Sequence, residues 1–209
     1  MGICIYVFVW GFWLGSTAPS RIRNNEGLCM ILSIETISDI REQLDELPQF
    51  RKIRNFALDA HCDHLCGHER YEEHLEAVLL TAIAFDLPSH VVLSSYLYDI
   101  LAKTDIEAGV VRELFGDAIA DIISHMTDLP SANRKEPSHQ FYKSLVKNKD
   151  LLSLKLSVLI AQVSNCVSES NEKTLQLYRN MYPRFRGKLK SEGELDEMWL
   201  YLDQLISGH

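Results

Sequence analysis

The sequence predicts an all-α multi-helix bundle, and three observations carry that expectation. From Ile37 onward, segments of helical length follow one another, with apolar residues recurring at three- and four-residue spacing. Alternating β-branched runs, the mark of half-buried strands, are absent. The stretch LLSLKLSVLIAQVSNCV, residues 151–167, is so apolar that it reads as a helix at the centre of the core. With 209 residues, 46% hydrophobic and 24% charged, the chain can bury one sizeable core, and a single domain over 30–209 is expected.

The elements follow in order. SDIREQLDEL opens with Ser38 as an N-cap, turns Ile40, Leu44 and Leu47 to one side, and stops at Pro48. A second helix should run from about Phe50 to Ala60. YEEHLEAVLLTAIAF, residues 71–85, is too long and too apolar in its second half for a strand and reads as a buried helix. The next helix restarts at Ser89 and carries Val91, Val92, Leu97 and Ile100 inward. A short helix from Glu107 to Leu114 gives way at Gly116 to DAIADIISHM, apolar at 119, 122, 123 and 126. LPSANRKEPSH, with two prolines, is a loop. HQFYKSLVKN precedes the central helix, and NEKTLQLYRNMY and GELDEMWLYLDQLI close the chain.

The first thirty residues differ in kind. ICIYVFVWGFWL, residues 3–14, is apolar throughout but shorter than the roughly 17 residues a spanning helix requires, and no basic residue precedes it. A weak anchor, a poor signal sequence and an extension upstream of a start at Met30 compete. The last is favoured, because helical organisation begins only after it; residues 1–29 are then an N-terminal apolar extension outside the fold. A net charge of −8 argues against a nucleic-acid partner held by phosphate neutralisation. Five scattered cysteines make no disulfide framework, which suits a cytoplasmic protein without a membrane partner.

Residues 61–74, HCDHLCGHERYEEH, crowd four histidines and two cysteines into fourteen positions, donors that would suit zinc. Farther along stand Tyr98-Asp99, then VRELFGDAIADIISHMTDLP, LKLSVLIAQV and LYRNMYPRFRGKL. In their order and spacing these segments resemble the HD-domain phosphohydrolases. The likeness is to the small stand-alone relatives of the RelA/SpoT-type hydrolase domain, which remove pyrophosphate from the 3′ position of (p)ppGpp. It spans roughly residues 50–206. Tyr71, His74 and Val78 match the Tyr-x-x-His-x-x-x-Val segment that supplies the first metal ligand in that family, and Tyr98-Asp99 stands where its His-Asp pair belongs. Phe115, Gly116, Thr127 and Asp128 match a further family segment.

The resemblance implies an HD-like bundle, with His74 and Asp99 at metal positions. It also implies that the chemistry is depleted. Tyr98 replaces a histidine ligand, Ala102-Lys103 replaces a Glu-Asp pair that takes part in hydrolysis, and Ser157-Val158-Leu159 replaces Ala-Asp-Arg. His61-Cys62-Asp63-His64-Leu65-Cys66 stands in place of a His-x-Gly-Gln-x-Arg segment whose arginine belongs to the substrate pocket. Two protein ligands fall short of the three that a catalytic metal site with an open position uses. His74 and Asp99 are therefore vestigial ligands, with Asp99 expected to bond His74 or to pair with Lys103 four residues on.

The expected function is a pseudo-hydrolase without catalytic residues or cofactor, acting on a nucleotide ligand or a protein partner as a regulatory module. The alternative is a metal-dependent phosphohydrolase of (p)ppGpp or a related nucleotide. There His64, Cys66 or His68 would join His74 and Asp99 around manganese or, more in keeping with thiolate and imidazole donors, zinc. Lys143, Lys147, Lys149 and Lys155 could form a phosphate-friendly face but read more simply as solvated lysines. Trp199 and Tyr201 read as packing residues, and Cys166 as a small buried hydrophobe.

Overall fold

The computed structural model describes residues 34–61, 65–66, 69–126 and 139–208. The expected N-terminal extension, Cys62, His64 and His68, the Thr127-Asp128 match and most of the proline-containing loop lie outside the described residues.

Eleven α-helices and one two-residue β-ladder make up the described chain. The helices are α1 (Ile34–Asp45), α2 (Pro48–Ala60), α3 (Tyr71–Ala84), α4 (Ser89–Ser94), α5 (Ile100–Lys103), α6 (Ala108–Phe115), α7 (Asp117–Met126), α8 (His139–Lys147), α9 (Lys149–Ser168), α10 (Glu172–Leu189) and α11 (Asp196–Ser207). The ladder pairs β1 (Leu65–Cys66) antiparallel with β2 (Glu69–Arg70), Leu65 opposite Arg70, and leads directly into α3.

Several helix ends differ from expectation for local reasons. Helix α1 starts upstream of Ser38, which therefore lies inside it rather than capping it. Pro48 opens α2, because its fixed φ and missing N–H suit the first turn of a helix. Ser89 is the first residue of α4, whose N-cap is Pro88. Asn148 and Asn171 do cap, their side chains accepting from the Leu151 and Thr174 amides at 3.0 and 3.2 Å. Gly116 separates α6 from α7 at φ +88°, a conformation a side chain would strain. Helix α10 runs on through Pro183 to Leu189 instead of ending near Tyr182.

Helix α9 is the axis of the core. Helices α3, α4, α7, α8, α10 and α11 all pack on it. Leu151, Leu154, Leu156, Val158 and Val163 are buried around its circumference, as its all-round apolar sequence requires. By length and composition it could cross a membrane, yet 67% of its apolar window is buried inside the fold. Trp199 of α11 is fully buried against Tyr182 and Phe185 of α10. Tyr201 packs edge-on against Phe85, and Cys166 is buried with burial pushing its thiol pKa up. Helix α1 is held differently, through a satellite cluster centred on Ile40 and Leu80 and through the Arg41–Glu76 ion pair to α3.

Candidate functional site

Tyr71 and His74 lie three residues apart on α3, which puts both on the face turned toward the core. Opposite them the chain leaves α4 at Ser94 and re-enters helix only at Ile100, so Tyr98 and Asp99 sit in a turn rather than on a continuous helix. Asp99 occupies the N-cap position of α5 with φ −126° and ψ 13°, but its carboxylate does not cap that helix. It points inward. His61 closes the group from the C-terminal end of α2.

The four residues of α3 and the turn form two hydrogen-bonded pairs. The Tyr71 hydroxyl donates to Asp99 Oδ2. His74 Nε2 and the Tyr98 hydroxyl lie 2.9 Å apart. His61 Nε2 stands 3.8 Å from Asp99 Oδ1, and its ring is stacked at a tilt on Tyr71 with centroids 4.5 Å apart. All five side chains are at most 5% exposed.

Burial dominates the electrostatics. It pushes the Asp99 carboxyl up to about 7, against the opposing pull of Lys103 and Lys155. It also drives His74 down to about 4, with Lys103 adding in the same direction, so the imidazole is neutral at pH 7. Lys155 of α9 is lowered to about 8 by burial, offset in part by Asp99.

The expected pairing of Asp99 with His74 or Lys103 is not what forms. Tyr71, one turn before His74, takes the carboxylate, and His74 is engaged by Tyr98. Lys103 fails for a geometric reason: the i,i+4 rule needs both residues on one helix, and Asp99 precedes α5 while Lys103 ends it exposed. Lys103 acts on the site only through its field.

Three residues bear on the site that the sequence pattern leaves outside it. His61 falls by resemblance in a segment tied to the substrate pocket, yet it is buried at the end of α2 and abuts Asp99. Tyr71 enters the sequence pattern only as part of a motif frame, although its spacing of three from His74 puts both on one face of α3. Lys155 reads from the sequence as a solvated lysine. It stands three residues before Val158, on the core-facing side of α9, and is only partly exposed.

Neither a family model nor a curated protein sequence matches the chain. Among solved structures it is similar to a metazoan ortholog of SpoT, described as hydrolyzing ppGpp and playing a role in starvation responses. The superposition has a TM-score of 0.61 at 17% identity and covers 78% of this chain and 96% of that one. The fold is HD-domain-like. At that identity the likeness speaks for architecture, and function has to be argued from the side chains.

An HD-like fold implies a divalent metal, and the described residues do not fit one. His74 Nε2 faces a phenol and Asp99 Oδ2 faces another, so these two donors are turned to separate tyrosines. On α9, which packs on α3, the Ser157 hydroxyl donates to the Ser153 carbonyl at 3.0 Å and Val158 is 1% exposed. Among the described residues no three His, Cys, Asp or Glu side chains are grouped to hold an ion. Cys62, His64 and His68 of the zinc alternative lie outside the described residues, and of Cys66 only the backbone strand is described.

Proposed function

We propose that this protein is a pseudo-hydrolase: an HD-like scaffold without hydrolytic chemistry that serves in the cytoplasm as a nucleotide-binding or regulatory module. The observation that carries the reading is Val158, an apolar residue buried on the central helix where the resemblance calls for a metal-binding aspartate. It is supported by the Tyr98–His74 contact, which occupies the imidazole nitrogen a metal would need. The vestigial ligands His74 and Asp99 then serve as a buried polar pin between α3 and the turn before α5. Water activation would need a metal or a solvent-accessible base, and a carboxyl 5% exposed and tied to a tyrosine offers neither readily.

Elemental analysis of protein purified without chelator, combined with a ppGpp hydrolysis assay in added manganese, tests this directly. The expected result is less than stoichiometric metal and no turnover. Hydrolysis abolished by His74→Ala would overturn it, and stoichiometric zinc would favour the rearranged metal site instead. Thermal-shift titration with ppGpp and GTP separates a nucleotide-binding module from a purely protein-binding one.

A further inference from the structure

Charge is divided unevenly along this chain. Residues 139–190 hold ten Lys and Arg against three Asp and Glu, a net charge of +7, while the other 157 residues hold eleven against twenty-six, a net of −15. Helices α8 and α10 bring much of the positive share to the surface. Lys143 and Lys147 are exposed one turn apart on α8. Lys173, Arg184 and Lys188 are exposed on α10 at separations of eleven and four, which keeps them on one stripe.

The two stripes lie side by side. Tyr142 of α8 packs against Phe185 of α10 with ring centroids 6.4 Å apart, and Lys188 Nζ sits 4.2 Å over the Tyr142 ring. On the other flank of α10, Arg179 and Arg186 are committed to structure, pairing with Glu172 and Asp203. Lys143, Lys147, Lys173 and Lys188 form no ion pair among the described residues. Apolar side chains alternate with these lysines: Val146 is 60% exposed, Leu177 64% and Met181 37%.

We propose that the α8–α10 face docks on an anionic lipid surface, with its lysines on phosphate headgroups and Val146, Leu177 and Met181 entering the headgroup layer. Basic residues interleaved with apolar ones on adjacent helices are the composition that binds such a surface. A planar partner touches this face alone and leaves the acidic remainder in solvent. A single-stranded nucleic acid fits less well, because it stacks bases on exposed rings and Tyr142 is 8% exposed beneath a lysine. A symmetric second copy would set lysine against lysine.

The experiment is sedimentation of the full chain with vesicles of phosphatidylcholine alone or with about 30 mol% phosphatidylserine, beside titration of a labelled single-stranded RNA. The anionic vesicles should bind at least about tenfold more tightly than the neutral ones, and the difference should shrink as salt is raised. Lys143→Glu with Lys188→Glu should abolish that difference, Leu177→Ser should weaken it several-fold, and Arg51→Glu on α2 should leave it unchanged. All four positions are exposed, so folding is preserved and circular dichroism checks it. Equal binding to both vesicles, binding to neither, or an anionic preference that survives the double charge reversal overturns the proposal. So does RNA binding tighter than vesicle binding and lost in the same variants.

Discussion

The α3 wall and the α9 wall, packed against each other in the core, treat polar groups in opposite ways. On the α3 wall the polar side chains are tied to tyrosines: Asp99 to Tyr71, His74 to Tyr98. On the α9 wall, Ser157 turns its hydroxyl onto its own helix and Val158 and Leu159 are part of the core. A carboxylate on α9 with no metal beside it would cost several kcal/mol in this burial, so an apolar residue is the stable solution there. Beside α3, His74 and Asp99 each have a tyrosine partner within the fold, although Asp99 Oδ1 accepts no hydrogen bond among the described residues. What separates the two walls is the supply of local partners rather than the degree of burial.

The contrast can be broken most forcefully from the α9 side. Val158→Asp should cost about 3 kcal/mol or more, measured by urea denaturation, because the new carboxylate is sealed from water at a position 1% exposed and Lys155, one turn before it, offsets only part of that cost. Manganese should not rescue it. Adding Tyr98→His frees His74 and restores a four-donor set, and manganese should then raise the melting temperature of the double variant. A Val158→Asp protein as stable as the parent would show that this wall is not sealed.

On the α3 wall, Tyr71→Phe removes the donor to a buried Asp99 and should cost about 1–3 kcal/mol in the same assay. The pH dependence divides the pair of retained groups. Between about pH 4 and the ordinary histidine value of 6.5, the unfolded chain holds a proton on residue 74 that the native state lacks, so His74 makes stability rise with pH. Asp99 does the reverse: from its ordinary 3.8 up to about 7 the native carboxyl keeps a proton the unfolded chain has lost, so stability falls as pH rises.

The two slopes oppose each other over nearly the same window. His74→Gln should therefore tilt the stability profile downward with rising pH, and Asp99→Asn should tilt it upward. Each tilt should approach about 1 kcal/mol per pH unit relative to the parent. Equal profiles for the two variants would mean that neither group is perturbed. The smallest effect belongs to Tyr98→Phe, which takes away one neutral hydrogen bond and should cost about 1 kcal/mol or less.

The bundle itself was legible because periodicity is a property of the chain. Leu151 to Val167 had to be central, since a helix apolar all round has no face to give to water. His74 was legible through the Tyr-x-x-His-x-x-x-Val frame of the family the chain resembles, and Tyr71 only as the first residue of that frame. Gly116 was legible as a break because few other residues tolerate its φ. Apart from helix ends set by local effects, the departures depend on where one segment meets another. Asp99 and Lys103 are four apart, yet the helix begins between them, and the sequence read this stretch as continuous helix. His61 reaches Asp99 only because the end of α2 abuts the turn before α5.

Sequence alone thus determined the succession of helices, the apolar character of position 158 and the uneven division of charge between 139–190 and the rest. Tertiary structure decided who bonds whom among His61, Tyr71, His74, Tyr98 and Asp99, and which of α10's cations are spent on ion pairs. Composition and periodicity act locally and are written in consecutive residues. Hydrogen-bond partnership and burial are set by separations across the fold, between residues as distant as 61 and 99, and those exist only once the helices have packed.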